Sequence, residues 1–495
     1  MHKRGERKEK QMLLFRCTQV RFKNAYLCGP LRLLRALCVN LHFSILYCIF
    51  AFCCQTTNSM KEEIQLTFGA YGHMLNPTQV FSADDQWLAY DTRNDITHIG
   101  RTCCIEKVNV ATGAVVKLYS TKGQTEHGPG VGAVAYHPTA PKLIFIHGLE
   151  NCNEQRPYGF TRRFGAVLDE QKAHGITHAE ARTIEAPLVA GALRGGTHAH
   201  SWSGDGEWIS FTYNDYLMEN LERSSKGVQK DLRTIGVMAP LGNVKVTNES
   251  GENFPGEYFS VVAAVVTENP QPGSDEVDKA FDECWIGNNG YVNNTGSRQK
   301  RAIAFQGNVR DKNGVVVTEI FVADIPDNVT QSQSGKPLEG TSASRPNVPA
   351  QSSQRRITHT TDRKFPGLQG PRFWLRTSPD GAAVYFLMKD DAGIVQIFSV
   401  PVNGGDIRQI TRLRHAVQTQ FNLSPDGATL AFAAGNAIWK TDVASGVSVQ
   451  LTPQSSDEAA PVIGVSWSHN GKILAYNKYV GEGDSRYLQI FKIEM

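Results

Sequence analysis

The sequence predicts an all-β protein, a β-propeller of seven blades with six as the alternative count. Three observations carry this. A strand–turn–strand unit recurs, seen most plainly in Leu423-Ser424-Pro425-Asp426-Gly427 followed by Thr429–Phe432. Its last three clear copies are 46 and 44 residues apart, measured from Ser378 to Ser424 to Ser468. A second signature, Gln-x-Thr or Arg-x-Thr, recurs out of phase at Gln65, Arg356, Gln409 and Gln450. Repeats of roughly 40–50 residues with several strands each are the mark of a propeller.

The turn explains itself chemically. Pro presets φ, Asp bonds to nearby backbone, and Gly takes φ > 0. Further copies are Phe81–Tyr90 (with Asp85 where Gly is usual), Trp202–Phe211, Thr377–Phe386 and Trp467–Tyr476. Tyr136–Phe145 is a degenerate copy. Around 260–305 the turn is missing, although strand-like residues persist at Phe259–Thr267 and Arg301–Gln306. The first Gln-x-Thr precedes the first blade and the chain ends without one. Ile64–Thr67 is therefore expected to supply the outer strand of the last blade, which removes open sheet edges.

Along the chain, residues 1–59 are a basic, Cys-rich leader with net charge +8, against −5 for 60–495. Six of the ten cysteines lie in it, so the remainder is no disulfide scaffold. The apolar run 36–54 behind this basic flank reads as a signal anchor or long signal peptide, membrane-anchored or periplasmic in consequence. The favoured reading is instead a non-native upstream extension, with translation starting at Met60 and a cytoplasmic protein, because charge and Cys content shift abruptly there. Residues 60–495 read as a single propeller domain with an insertion at 268–300. The second half of Pro270–Trp285 has a helical apolar spacing at Val277, Ala280, Phe281 and Cys284. Residues 328–353 are Ser/Gln/Pro-rich and expected to be disordered.

The acidic remainder offers no basic stripe for nucleic acid. It also has no Gly-x-Ser-x-Gly elbow, P-loop, Cys-x-x-Cys or His-Glu-x-x-His. Candidate functional residues come from the innermost strands, which line a propeller's channel: His73, Asn76, Gln79, His127, Val131, His198, His200, Glu257, Gln369, Arg372, Trp374, Arg376, His415, Gln418, Gln420 and Asn422. In a regular strand, His198 and His200 face the same way. With a third ligand from His73, His127, His415, Gln418 or Gln420 they would hold a divalent metal such as Mn, Zn, Ni or Fe. Arg372, Trp374 and Arg376 alternate on one face and suit an anionic sugar or carboxylate, with Gln418 and Gln420 nearby. The acidic run Asp275, Glu276, Asp278, Asp282 and Glu283 reads as a solvated face.

The blades resemble TolB-like propeller repeats. Arg194–His200, Ser210–Asp215, Pro270–Glu276 and Phe386–Asp391 resemble segments of the YidR-type bacterial family, a resemblance covering about 60–495. It implies a propeller starting near Met60 and assigns no reaction. A more distant resemblance, through His198-Ala199-His200, is to oligogalacturonate lyases, which implies a central-pocket metal. Two functions are expected, the first leading and the second its alternative. One is a module binding a small molecule, acidic saccharide or protein at the channel mouth. The other is a metal-dependent, lyase-like enzyme acting on acidic oligosaccharides.

Overall fold

Seven antiparallel sheets of three or four strands follow one another along the chain in a computed structural model that describes residues 60–172, 175–224, 229–371 and 374–495. Blade 1 has strands Trp87–Asp91, Cys104–Asn109 and Val115–Ser120, and its innermost segment is joined by the bridges Met74 to Asp91 and Phe81 to Leu88. Blades 2 and 3 begin with inner strands Val131–Tyr136 and Gly195–Trp202. Blades 4, 5, 6 and 7 begin with Ala280–Trp285, Arg376–Thr377, Asn422–Leu423 and Pro461–Trp467. Blade 7 takes its fourth strand from the N-terminal side: Ile64 pairs with Lys492 and Gln65 with Phe491.

Both repeat signatures have a local structural cause. In the turns, the Ser hydroxyl donates to the acidic or amide side chain two residues on and accepts from the amide five residues on. This holds for Ser82, Ser203, Ser378, Ser424 and Ser468. In the outer strands, the Thr hydroxyl accepts a backbone N–H from the neighbouring strand: Thr67 from Ile490, Thr358 from Ile320, Thr411 from Ile397 and Thr452 from Ile438. The residue two before donates to that Thr's carbonyl, from Gln65, Arg356, Gln409 and Gln450. Apolar residues between these anchors form clusters that bridge neighbouring blades, such as Leu387, Ile397, Phe421, Leu430 and Phe432 between blades 5 and 6.

Three expectations need correction. Residues 280–285, read as helical, form the inner strand of blade 4, pairing Ala280 with Gly307 and Trp285 with Ile303. Asp282 has φ +49° and the register slips between Phe281 and Cys284. A bulge inserts one residue into the period-2 alternation, and the resulting apolar spacing imitates a helix. Phe259–Val262, expected as strand material of the weak fourth repeat, is the outer strand of blade 3, pairing with Gly236–Ala239. Residues 328–353, expected to lack packing, bury Val329, Leu338 and Val348. Thr341 and Ser344 in that segment accept hydrogen bonds from the buried Arg194 guanidinium. A few well-placed apolar side chains and one buried cation hold a segment whose composition alone suggests disorder.

No helix among the described residues is long and apolar enough to cross a membrane. The leader, with its candidate anchor at 36–54, lies outside the described residues.

Candidate functional site at the channel mouth

The same bulge recurs around the channel. Gln79, Ala133, Ala199, Asp282 and Ile463, one on the innermost segment of each of five blades, all take positive φ between +49° and +69°. Each bulge turns its strand so that the chain before and after it presents different faces. Ala133, Ala199, Asp282 and Ile463 line one cavity of about 580 Å³, together with Trp374 of blade 5 and Gln420 of blade 6. Loops that connect the second and third strands complete its wall, contributing Arg93, Ile96 and Thr97 from blade 1 and Tyr158 and Phe160 from blade 2.

The charge on this wall is lopsided. Arg93, Arg163, Arg233 and Lys279 line it, and among the described residues that do so Asp282 is the one carboxylate. Arg93 is neutralised by Asp91, with Nε–Oδ1 at 2.6 Å and Nη2–Oδ2 at 2.8 Å. The Phe160 ring, 61% exposed, is flanked by the Arg163 and Arg233 guanidiniums at 5.0 and 5.3 Å from its centroid. Lys279 lies 4.5 Å from the Phe281 ring centroid. Cations held against aromatic faces around a largely apolar cavity suit a ligand that has both negative charge and flat apolar faces.

Below Trp374 the channel is stoppered. A smaller cavity there is lined by Gln79, Trp202, Trp285, Trp374 and Arg376, among others. The Gln79 carboxamide reaches from blade 1 to blade 3 and bonds both main-chain groups of Trp202. Arg376 donates to Asn422 Oδ1, to Leu375 O at 2.8 Å and to Pro77 O at 3.0 Å. Asn422 Nδ2 donates to Pro77 O at 2.9 Å and Val465 O at 2.7 Å. Burial pulls the Arg376 guanidinium down to about 10.

Of the residues expected from sequence, Asn76, His198, Trp374 and Gln420 line the mouth, whereas Gln79 and Arg376 line the lower cavity. Arg372 lies outside the described residues. His198 and His200 do not face the same way, because Ala199, at φ +62°, parts them. His200 is buried beside Gly165 of blade 2 and bonds Thr197 Oγ1 at 2.9 Å. Burial, helped by the Arg163 charge, holds His200 down at about 3. His73 is buried against Leu488 O of blade 7 and stacked on Tyr71. His127 pairs with Glu126 in a loop, and exposed His415 packs on Gly435. Gln418 is exposed and exchanges two bonds with Asn436. Glu257 belongs to the segment leading into the outer strand of blade 3, and its amide donates to His178 O. Gln369 donates to Pro366 O.

The anticipated histidine-rich metal set is therefore not brought together. Among the described residues no group of three His, Cys, Asp or Glu side chains is arranged to hold a metal ion. The mouth offers His198 and Asp282, with amide oxygens of Gln306 and Gln420, fewer strong donors than the three protein ligands that catalytic sites use.

In the acidic run, Asp275 and Asp278 pair with Arg356 and Arg310, Glu276 accepts from Gln271 N, and Asp282 lines the mouth. Glu283 is instead buried, accepts from Thr212 Oγ1 at 2.7 Å, and is pushed up to about 8 by that burial. Sequence reasoning missed Tyr158, Phe160, Arg163, Arg233 and Lys279, because it searched the inner strands alone. The signal was the long blade-2 loop, whose end reads Tyr158-Gly159-Phe160-Thr161-Arg162-Arg163.

Several known proteins are similar to this chain in sequence or in fold. Residues 130–254 match a family model described as a protein of unknown function, DUF3748. An oligogalacturonate lyase in complex with manganese superposes with a TM-score of 0.50 over 88% of this chain and 94% of its own, at 10% identity, a likeness of fold alone. TolB from Acinetobacter baumannii matches over 84% of this chain and 83% of its own, with a TM-score of 0.32 and 13% identity. In sequence, the uncharacterized protein YidR of Escherichia coli (strain K12) is 36% identical over 416 residues, covering 83% of this chain and 94% of that protein. With a relationship that close running through nearly every blade, the chain belongs to the YidR family.

Proposed function

We propose that the protein is a binding module whose channel mouth takes an anionic small molecule, an acidic saccharide in the first instance. The observation that carries this reading is the wall of the 580 Å³ cavity, where Arg163, Arg233 and Lys279 meet Phe160, Phe281 and Trp374 with Asp282 as the one described carboxylate. Sugar carboxylates pair with the cations and sugar faces lie on the rings, each charged hydrogen bond contributing about 1.5–3 kcal/mol. The stopper of Gln79, Arg376 and Asn422 supports a cup entered from the loop side rather than a through-channel.

Calorimetric titration with a galacturonate trimer tests the reading. Binding is expected, weakening as salt is raised, with no heat from the neutral galactose trimer. Equal binding of both trimers, or of neither, contradicts it. The second reading, a metal-dependent lyase, is favoured by His198 and Asp282 sharing this cavity. Metal content of the purified protein separates the two: stoichiometric Mn, Zn, Ni or Fe supports the lyase, and its absence the binding module.

A further inference from the structure

Arg163 opens the third strand of blade 2, opposite Gly148. Its stem occupies space that Gly196 leaves open, since a Cβ there would meet Phe160 O at 2.3 Å and Arg163 Cγ at 3.0 Å. The side chain is buried, with only 2% of the residue exposed. A guanidinium has five N–H donors. Among the described residues only Nη1 is engaged by a hydrogen bond, donating to Tyr158 Oη at 3.1 Å, while Nε and Nη2 find no hydrogen-bond partner there. No Arg163 carboxylate pair occurs among the described residues, although Arg93, Arg162, Arg182 and Arg194 nearby each have one. The exposed Phe160 ring lies against it, with the guanidinium carbon 5.0 Å from the ring centroid.

A buried charge without a counter-ion opposes folding, so its retention calls for a reason outside the free protein's packing. The unused Nε–Nη2 edge has the planar two-donor form that matches a carboxylate. Phe160 packs on the guanidinium yet is itself exposed, and both residues line the cavity.

We propose that Arg163 is the anion seat of the mouth: its Nε–Nη2 edge takes one carboxylate of the ligand in a two-point contact, and the ring bearing that carboxylate lies on Phe160. This rests on the reading that the mouth receives an acidic ligand, and adds which residue selects for the acid group.

Thermal melting of the wild-type chain and of Arg163→Met and Arg163→Lys tests the seat. Without ligand, Arg163→Met should melt at or above the wild-type midpoint, because it removes an unpaired buried charge. A drop of several degrees, or failure to fold, means Arg163 is structural and overturns the proposal. Sodium galacturonate at constant ionic strength should raise the wild-type midpoint where galactose does not. Arg163→Met should abolish that rise, and Arg163→Lys, which keeps charge but loses the fork, should weaken apparent affinity about tenfold. If Arg163→Met keeps the full rise, the seat is wrong while the acidic-ligand reading stands. If galacturonate has no effect but inorganic phosphate gives an Arg163-dependent rise, the seat stands and the saccharide reading falls. No rise with either anion in the wild type overturns the seat.

Discussion

The Gln79 side chain spans from blade 1 to blade 3, donating to Trp202 O at 2.8 Å and accepting from Trp202 N at 2.9 Å. Blade 2 lies between these two blades in sequence, so the carboxamide acts as a strut across the channel floor. Gln79→Ala should leave both Trp202 main-chain groups short of a partner and cost about 1–3 kcal/mol. Urea unfolding checks this, and an unchanged midpoint would show that water replaces the strut.

Asp85 occupies a turn position where glycine is usual, at φ +58°. Its carboxylate accepts from His469 N at 2.7 Å and Asn470 N at 2.9 Å, linking the turn of blade 1 to that of blade 7. Asp85→Gly relieves the backbone by about 1 kcal/mol but removes two charge-assisted bonds, each contributing about 1.5–3 kcal/mol. The net expectation is destabilisation in an otherwise consensus-restoring change. A rise in melting temperature would mean the latch contributes little.

The ring closes through Ile64–Gln65 against Tyr487–Glu494, reinforced by Thr67 Oγ1 accepting from Ile490 N at 2.9 Å. Removing residues 60–67 should expose the edge of the last blade, lower the melting midpoint and promote self-association. Light scattering and thermal melting together report both effects. A chain that stays monomeric with an unaltered midpoint would show that closure is dispensable.

Buried titrating groups give the stability a defined pH dependence. Burial holds His73, His137 and His178 below 6.5, His147 at about 4 and His200 at about 3. These must be protonated in the unfolded chain first, so their stabilising contribution is lost as pH falls below 6.5. Glu180 is raised to about 7 and Glu283 to about 8, both chiefly by burial. Their protonated forms are favoured in the folded protein, so stability declines as pH rises from the ordinary 4.5 through those values. The two slopes oppose each other and place the optimum near neutrality, at about pH 6–7. Glu283→Gln, which keeps an acceptor for Thr212, should stabilise the protein at pH 8 by about 1–3 kcal/mol and flatten the alkaline decline. An unchanged slope between pH 6 and 8 would assign the decline elsewhere.

The fold was legible because its signals are local. Ser424 and Asp426 build their own turn, and Gln409 and Thr411 build their own strand ending, whatever surrounds them. The candidate site was less so, for one recurrent reason. A positive-φ bulge at Ala199 separates His198 from His200, and another at Asp282 disguises a strand as a helix. Both bulges are set by tertiary pairing around the channel, and Ala199 carries no turn signal, while Asp282 stands in an acidic run that hides it. Arg163 and Phe160 were invisible for a different reason: they reach the mouth from the third strand of blade 2 and the loop before it, and spacing along inner strands says nothing about them.

The central claim is that ligand occupies the loop-side mouth of a channel stoppered below Trp374. A crystal structure of the protein with a galacturonate trimer tests it most directly. Density is expected in the cavity bounded by Phe160, Arg233, Lys279 and Trp374, with a carboxylate against a guanidinium and a sugar face on an aromatic ring. Trimer found on the turn face, or on the outer rim with the mouth filled only by water, would contradict it.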